Sequence, residues 1–209
     1  LKEPDGLLAA GGNLSPELLL TAYRKGIFPW YSEGQPILWW SPDPRCVLFP
    51  EKLKISRSLR KSLNKKIYNV RQNTAFRDVM LACAEPRRGE EGTWITYAML
   101  EAYCTLNKLG HAHSIECWRD EQLVGGLYGV RIGDVFFGES MFSGKPNCSK
   151  LALIHLVNFL KSQEYRMIDC QMTTDHLISV GAREISGDEF QRLLKEHITS
   201  EHHTGVWPH

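Results

Sequence analysis

Three extended stretches joined by two tight turns occupy the middle of this chain's second half. His113–Trp118, Leu123–Val130 and Val135–Met141 are rich in apolar, aromatic and β-branched residues, and the turn signals Asp120-Glu121 and Gly133-Asp134 separate them. Turns that short join antiparallel neighbours, so the stretches are expected to form a meander. Asn147 then stands where it can cap a helix running from Cys148 to about Ser162. Met167–Met172 reads as a short buried strand and residues 187–196 as a closing helix. A meander followed by a helix and a further strand predicts an α+β fold.

Upstream the signals differ. Ser15-Pro16-Glu17 combines an N-cap, a first-turn proline and an early acid, which predicts a helix over about 16–25 that stops at Gly26. Pro29, Pro36, Pro42 and Pro44 then crowd a stretch that also holds Phe28, Trp30, Tyr31, Trp39 and Trp40. Prolines this dense exclude a helix and present the aromatics from extended segments and turns. Helices are expected from Ser56 to about Lys65, over 74–84 and over 97–109, with a strand at 67–71. The change of character near residues 85–92 divides the chain into a smaller N-terminal mixed α/β domain, 1–88, and a C-terminal domain, 89–209.

Composition sets outer limits. The chain has 209 residues, 43% hydrophobic and 23% charged, which is ordinary for a globular protein and excludes a disordered one. No apolar run approaches the ~18 residues of a membrane span, and no signal-like segment opens the chain, so a cytoplasmic protein is expected. Six scattered cysteines without a C-x-x-C pair point to reduced thiols rather than a disulfide framework or a zinc site. His111 and His113 form an H-x-H pair with no third ligand at a telling spacing, so they read as structural histidines and no metal is expected.

Net charge is +1, but its distribution is uneven. Eight of the 25 basic residues lie between Lys52 and Arg71 with no acid among them, which leaves 17 basic against 24 acidic residues elsewhere. One basic surface on an otherwise acidic protein suits attraction to a phosphate backbone, although a solvated basic helix face has the same composition. Arg57, Arg60, Lys61, Lys65 and Lys66 are the candidates for that contact.

The segments GIFPWYS (26–32), ILWWSPDPR (37–45), EGTWIT (91–96), LGHAHSIE (109–116), LVGGLYGV (123–130), GESMFS (138–143) and IDCQ (168–171) closely resemble the signature blocks of the leucyl/phenylalanyl-tRNA–protein transferases. So many blocks in one order are far more specific than a single short motif. The resemblance implies a C-terminal GNAT-like (acyl-CoA N-acyltransferase-like) fold behind the smaller N-terminal domain. It also implies the activity: Leu or Phe passes from Leu-tRNA or Phe-tRNA to proteins beginning with Arg or Lys and marks them for degradation. No cofactor is implied. The turn Ser143-Gly144-Lys145-Pro146-Asn147-Cys148 has one glycine and a proline where CoA-using enzymes of this fold cradle a pyrophosphate on a glycine-rich loop.

That reaction is an aminolysis, and it needs the amine positioned and neutral, the oxyanion stabilised and the ribose oxygen released. Asp169 and Gln171 are two apart on a strand and should face one side. The resemblance matches them to the family's proposed catalytic pair, in which the aspartate hydrogen-bonds the glutamine. A carboxamide is a very weak base, so the firmer role for Gln171 is to accept a hydrogen bond from the amine and orient it. Glu139, on the third strand of the meander, can hold the cationic side chain of the acceptor or its α-ammonium. Trp30, Trp94, Phe137 and Met141 are candidates for an apolar pocket that measures the transferred side chain. The same residues could equally be core.

Overall fold

The computed structural model describes residues 5–65, 67–85, 93–199 and 207. In chain order the elements begin with β1 (Leu7–Ala10), α1 (Pro16–Arg24), β2 (Phe28–Pro29), β3 (Leu38–Trp40) and β4 (Arg45–Leu48). A 3-10 turn at Pro50–Lys52 leads to α2 (Arg57–Asn64), β5 (Asn69–Gln72), α3 (Phe76–Ala84) and α4 (Tyr97–Lys108). The second half runs through β6 (Ala112–Arg119), β7 (Gln122–Ile132), β8 (Val135–Ser143), α5 (Cys148–Ser162) and β9 (Met167–Gln171). It closes with α6 (Asp175–Ser179), β10 (Arg183–Ile185) and α7 (Gly187–His197).

Local chemistry places most of the helix starts. The hydroxyls of Ser15, Ser56, Thr96 and Ser186 each accept a main-chain N–H from the first turn of α1, α2, α4 and α7. Asn147 does not cap α5 as expected. It occupies the N-cap position with φ 69° and makes no side-chain cap bond; the Ser149 N–H is taken instead by Ser143 Oγ at 3.3 Å. The strand expected at 67–71 begins later and forms β5. Neither β4 nor β10 is foreseen from the sequence, since each is short and hemmed in by prolines or polar turns.

A seven-stranded sheet in the order β10-β4-β9-β8-β7-β6-β5 carries the architecture, beside a three-stranded sheet β1-β3-β2. The expected meander is present as β6-β7-β8, and β8 and β9 form a parallel pair within otherwise antiparallel neighbours. The sheet crosses the expected division at residue 88: β4 and β5 come from before it and pair with strands from after it. Alternate strand residues feed two apolar clusters, one on each face. Val135, Phe137 and Met167 meet Leu19 and Tyr23 of α1, Met80 of α3, Leu106 of α4 and Phe190 of α7. Phe136 and Ile168 meet Leu151, Val157 and Leu160 of α5, with Leu59 of α2 beyond. All six cysteine thiols are free, and no described helix is long and apolar enough to cross a membrane.

Candidate active site

The parallel strands β8 and β9 pair through Val135↔Met167, Phe136↔Ile168 and Phe137↔Asp169, and no pair follows. They part where the polar residues begin. On β8 the ladder to β7 sets Gly138 opposite Gly129 and Ser140 opposite Tyr128, so Glu139 is the extra residue of a β-bulge. The bulge draws the two strands close here, and Glu139, two residues after Phe137, keeps that residue's face and points to Tyr103 beside the parting. Gly129 permits this approach: a Cβ there would lie 2.2 Å from Phe137 O. On β9, Gln171 adopts φ 56° and ends the strand.

Three residues singled out in the sequence converge here. Gln171 Nε2 donates to Glu139 Oε1 at 3.2 Å, and the Gln171 main-chain N–H donates to Asp169 Oδ1 at 2.9 Å. The aspartate therefore hydrogen-bonds the glutamine, through the glutamine's main chain. The bond closes an Asx-type turn, in which a carboxylate accepts the main-chain N–H two residues on. Arg45 takes what remains of Asp169: Nε reaches Oδ1 at 2.8 Å and Nη2 reaches Oδ2 at 2.7 Å, with Nη2 also donating to Gly26 O at 2.9 Å. Both side chains are buried, at 1% and 0% exposure, and the guanidinium lies 5.1 Å from the Phe28 ring and 4.5 Å from that of Phe190.

Glu139 Oε2 accepts the Tyr103 hydroxyl at 3.3 Å, and Tyr103 shares a further hydrogen bond with the hydroxyl of Tyr23. Burial is the largest influence on the Glu139 carboxyl and pushes it up to about 7. The Asp169 charge adds to the rise, while the tyrosine hydroxyls and Arg45 oppose it. Burial likewise holds the Tyr23 and Tyr103 phenols well above their ordinary value, so both remain protonated donors.

The four pocket candidates do not assemble as a set. Trp30 is 39% exposed and meets Trp40 edge-on at 5.6 Å, and Trp94 is half-buried against the first cluster. A hydrogen bond of 3.1 Å between Tyr31 Oη and Thr96 Oγ1 ties their two loops together. Phe137 is fully buried, 5.1 Å from the Tyr23 ring. Met141 is on the opposite face, packed with the cluster of α5. Strict alternation would have put Phe137 and Met141 side by side, and the bulge at Glu139 reverses the phase between them.

Arg57, Arg60, Lys61 and Lys65 are exposed on or beside α2, and none takes part in an ion pair among the described residues. Lys66 lies outside the described residues. Leu59 anchors this helix against the cluster around α5, so the basic surface belongs to the sheet face opposite α1 and α4. In the turn before α5 the N–H groups of Gly144 and Lys145 both donate to Val124 O, at 2.9 and 3.2 Å, and are committed inside the protein. His113 is buried and stacks on Trp207 at 4.1 Å.

Residues 12–43 match the family model described as the leucyl/phenylalanyl-tRNA protein transferase N-terminal domain, and residues 47–195 match that described as leucyl/phenylalanyl-tRNA protein transferase. The chain belongs to this family. A relative with that name from Chromobacterium violaceum is 56% identical over 207 residues, covering 99% of this chain and 89% of its own. Another, from Nitrosomonas eutropha, is 60% identical over 194 residues, covering 93% and 83%. The two family segments meet at residues 43–47, at the start of β4, which supplies Arg45.

Arg45, Tyr23 and Tyr103 were not singled out from the sequence. Arg45 did leave a signal, since a lone arginine between Pro44 and the apolar run Cys46-Val47-Leu48-Phe49 must find a buried carboxylate. The tyrosines left none, because a tyrosine on the apolar face of a helix reads as core whichever way its hydroxyl points.

Proposed function

We propose that the protein moves Leu or Phe from its tRNA to the α-amine of proteins beginning with Arg or Lys. The observation that carries this reading is the Glu139–Gln171–Asp169 cluster at the parting of β8 and β9, in a chain of an aminoacyltransferase family. The parting carries a fixed polar cluster, against which an ester and an amine would be brought together. Positioning of that kind can supply on the order of 7–11 kcal/mol in the most favourable intramolecular cases. Gln171 is oriented at both ends, by its main chain on Asp169 and its Nε2 on Glu139, so its carboxamide oxygen is free to accept from the incoming amine. Trp30, Trp94 and Phe137 supply the apolar wall for the transferred side chain. Met141 would contribute only from the other side of the parting. The committed N–H groups of Gly144 and Lys145 favour a tRNA donor over CoA. The meander with its parallel β8–β9 pair supports the GNAT-like assignment of this part of the chain.

The reading is tested by transfer of labelled leucine from Leu-tRNA to a peptide beginning with Arg, beside one beginning with Ala. Product on the Arg peptide alone is expected. Equal labelling of both removes the proposed acceptor selectivity, and labelling of neither removes the reaction.

The basic surface of α2 is proposed to bind the tRNA backbone. Replacing Arg57, Arg60, Lys61 and Lys65 by Gln should weaken Leu-tRNA binding and flatten its salt dependence by roughly 0.7–0.9 log units per decade of salt for each phosphate no longer neutralised. A binding titration at several salt concentrations measures the slope, and an unchanged slope would place the tRNA elsewhere.

A further inference from the structure

Two carboxylates face the parting, and they are held in opposite ways. Asp169 has no capacity to spare. Its oxygens accept from Arg45 Nε, Arg45 Nη2 and the Gln171 N–H, it is fully buried, and its charge is balanced by a guanidinium that does not deprotonate in proteins. Glu139 is the reverse. It is half-buried, its hydrogen-bond donors (Tyr103, Tyr23 and Gln171) are all neutral, and no cation is hydrogen-bonded to it among the described residues.

We infer that Glu139 is the proton carrier of the transfer, taking a proton from the attacking amine and delivering it to the departing ribose oxygen, while Arg45 and Asp169 only position Gln171. This rests on the transfer reaction proposed above. The amine lone pair attacks the ester carbonyl carbon, the carbonyl opens to an oxyanion, and an amine proton passes to Glu139 Oε. The carbonyl then re-forms, the bond to the ribose oxygen breaks, and that oxygen takes the proton back from Glu139. Ester and amine become amide and alcohol, and Glu139 ends as it began. One residue can act in both directions because acid and base steps follow each other on one side of the same carbon.

The surroundings suit this work. Glu139 faces Tyr23 from α1, Tyr103 from α4, Tyr128 from β7, Asp169 and Gln171 from β9 and Arg45 from β4. All three tyrosines are fully buried with phenols held well above their ordinary value, so none competes for the proton. A carboxyl lifted to about 7 gains and loses a proton near neutral pH, where an ordinary glutamate would remain ionised.

The test is single-turnover transfer from Leu-tRNA to an Arg peptide with Glu139→Ala and with the near-isosteric Glu139→Gln, each with and without added small carboxylates of graded basicity. Both variants should lose on the order of 10²–10⁴-fold. Formate and acetate should restore part of the rate to Glu139→Ala, acetate more than formate because it is the stronger base. Asp169→Ala, which removes a positioning residue, should gain nothing from either. A Glu139→Gln rate close to wild type, or rescue indifferent to carboxylate basicity, overturns the proton-carrying role. Wild-type protein that transfers nothing overturns the reaction itself, so the two failures are told apart.

Discussion

Arg45→Ala should lower the unfolding free energy by about 3–5 kcal/mol, the range for removing one partner of a buried ion pair. The carboxylate left behind is completely buried and would be without both of its charged donors, keeping only the Gln171 N–H. Gly26 O would go without its donor too, and the Phe28 and Phe190 rings would face a void where the guanidinium sat. Arg45→Lys should fall between, since an ammonium restores the charge but cannot span both oxygens of Asp169 in a fork. Urea unfolding of the three proteins measures the series. A loss below about 1 kcal/mol for Arg45→Ala would mean that Asp169 finds another partner and that the pair does not organise the site. Leucine transfer should fall in the same order, because the main chain of Gln171 hangs on the carboxylate that Arg45 holds.

The second large effect is expected from the smallest change. Gly129→Ala should cost about 3 kcal/mol or more, at or above the upper end of what overpacking does, and should abolish transfer. The new Cβ would meet Phe137 O at 2.2 Å and the Phe136 ring at 2.5 Å. The first of these is a main-chain atom of the adjoining strand, which can retreat only by breaking the β7–β8 ladder at the bulge. Gly138 stands directly opposite and supplies the control. A Cβ there finds nothing nearer than Asp169 O at 3.7 Å, so Gly138→Ala should stay within about 1 kcal/mol of wild type. Thermal melts and transfer assays on the two variants separate the predictions, and equal losses would refute the close approach of β7 to β8 at the bulge as a requirement of the site.

Much of this molecule was written locally. Ser15 caps the helix that it announced, Ser56 and Thr96 cap two further expected helices, and the turns at Asp120-Glu121 and Gly133-Asp134 join the antiparallel strands they signalled. These features depend on residues a few positions apart, where hydroxyl caps, prolines and short loops act through nearest neighbours. That Asp169 and Gln171 share a strand was also legible, whereas their meeting with Glu139 depends on the pairing of β8 with β9.

Tertiary structure decided the rest, and in each case the cause is a contact between residues far apart in the chain. Arg45 and Asp169 are 124 positions apart, so nothing near either one could name the other as its partner. Tyr23 and Tyr103 became donors in the site only when α1 and α4 were packed on the same face of the sheet. The bulge at Glu139 arises from how β8 registers against β7, and that register sends Phe137 and Met141 to opposite faces although their spacing says otherwise. The sequence by itself determined the meander and most of the longer helices, which chemistry the chain carries and which family it resembles. Only the fold decided which carboxylate is held fast and which is free to take a proton, because that depends on where burial and the Arg45 guanidinium fall once the strands are paired.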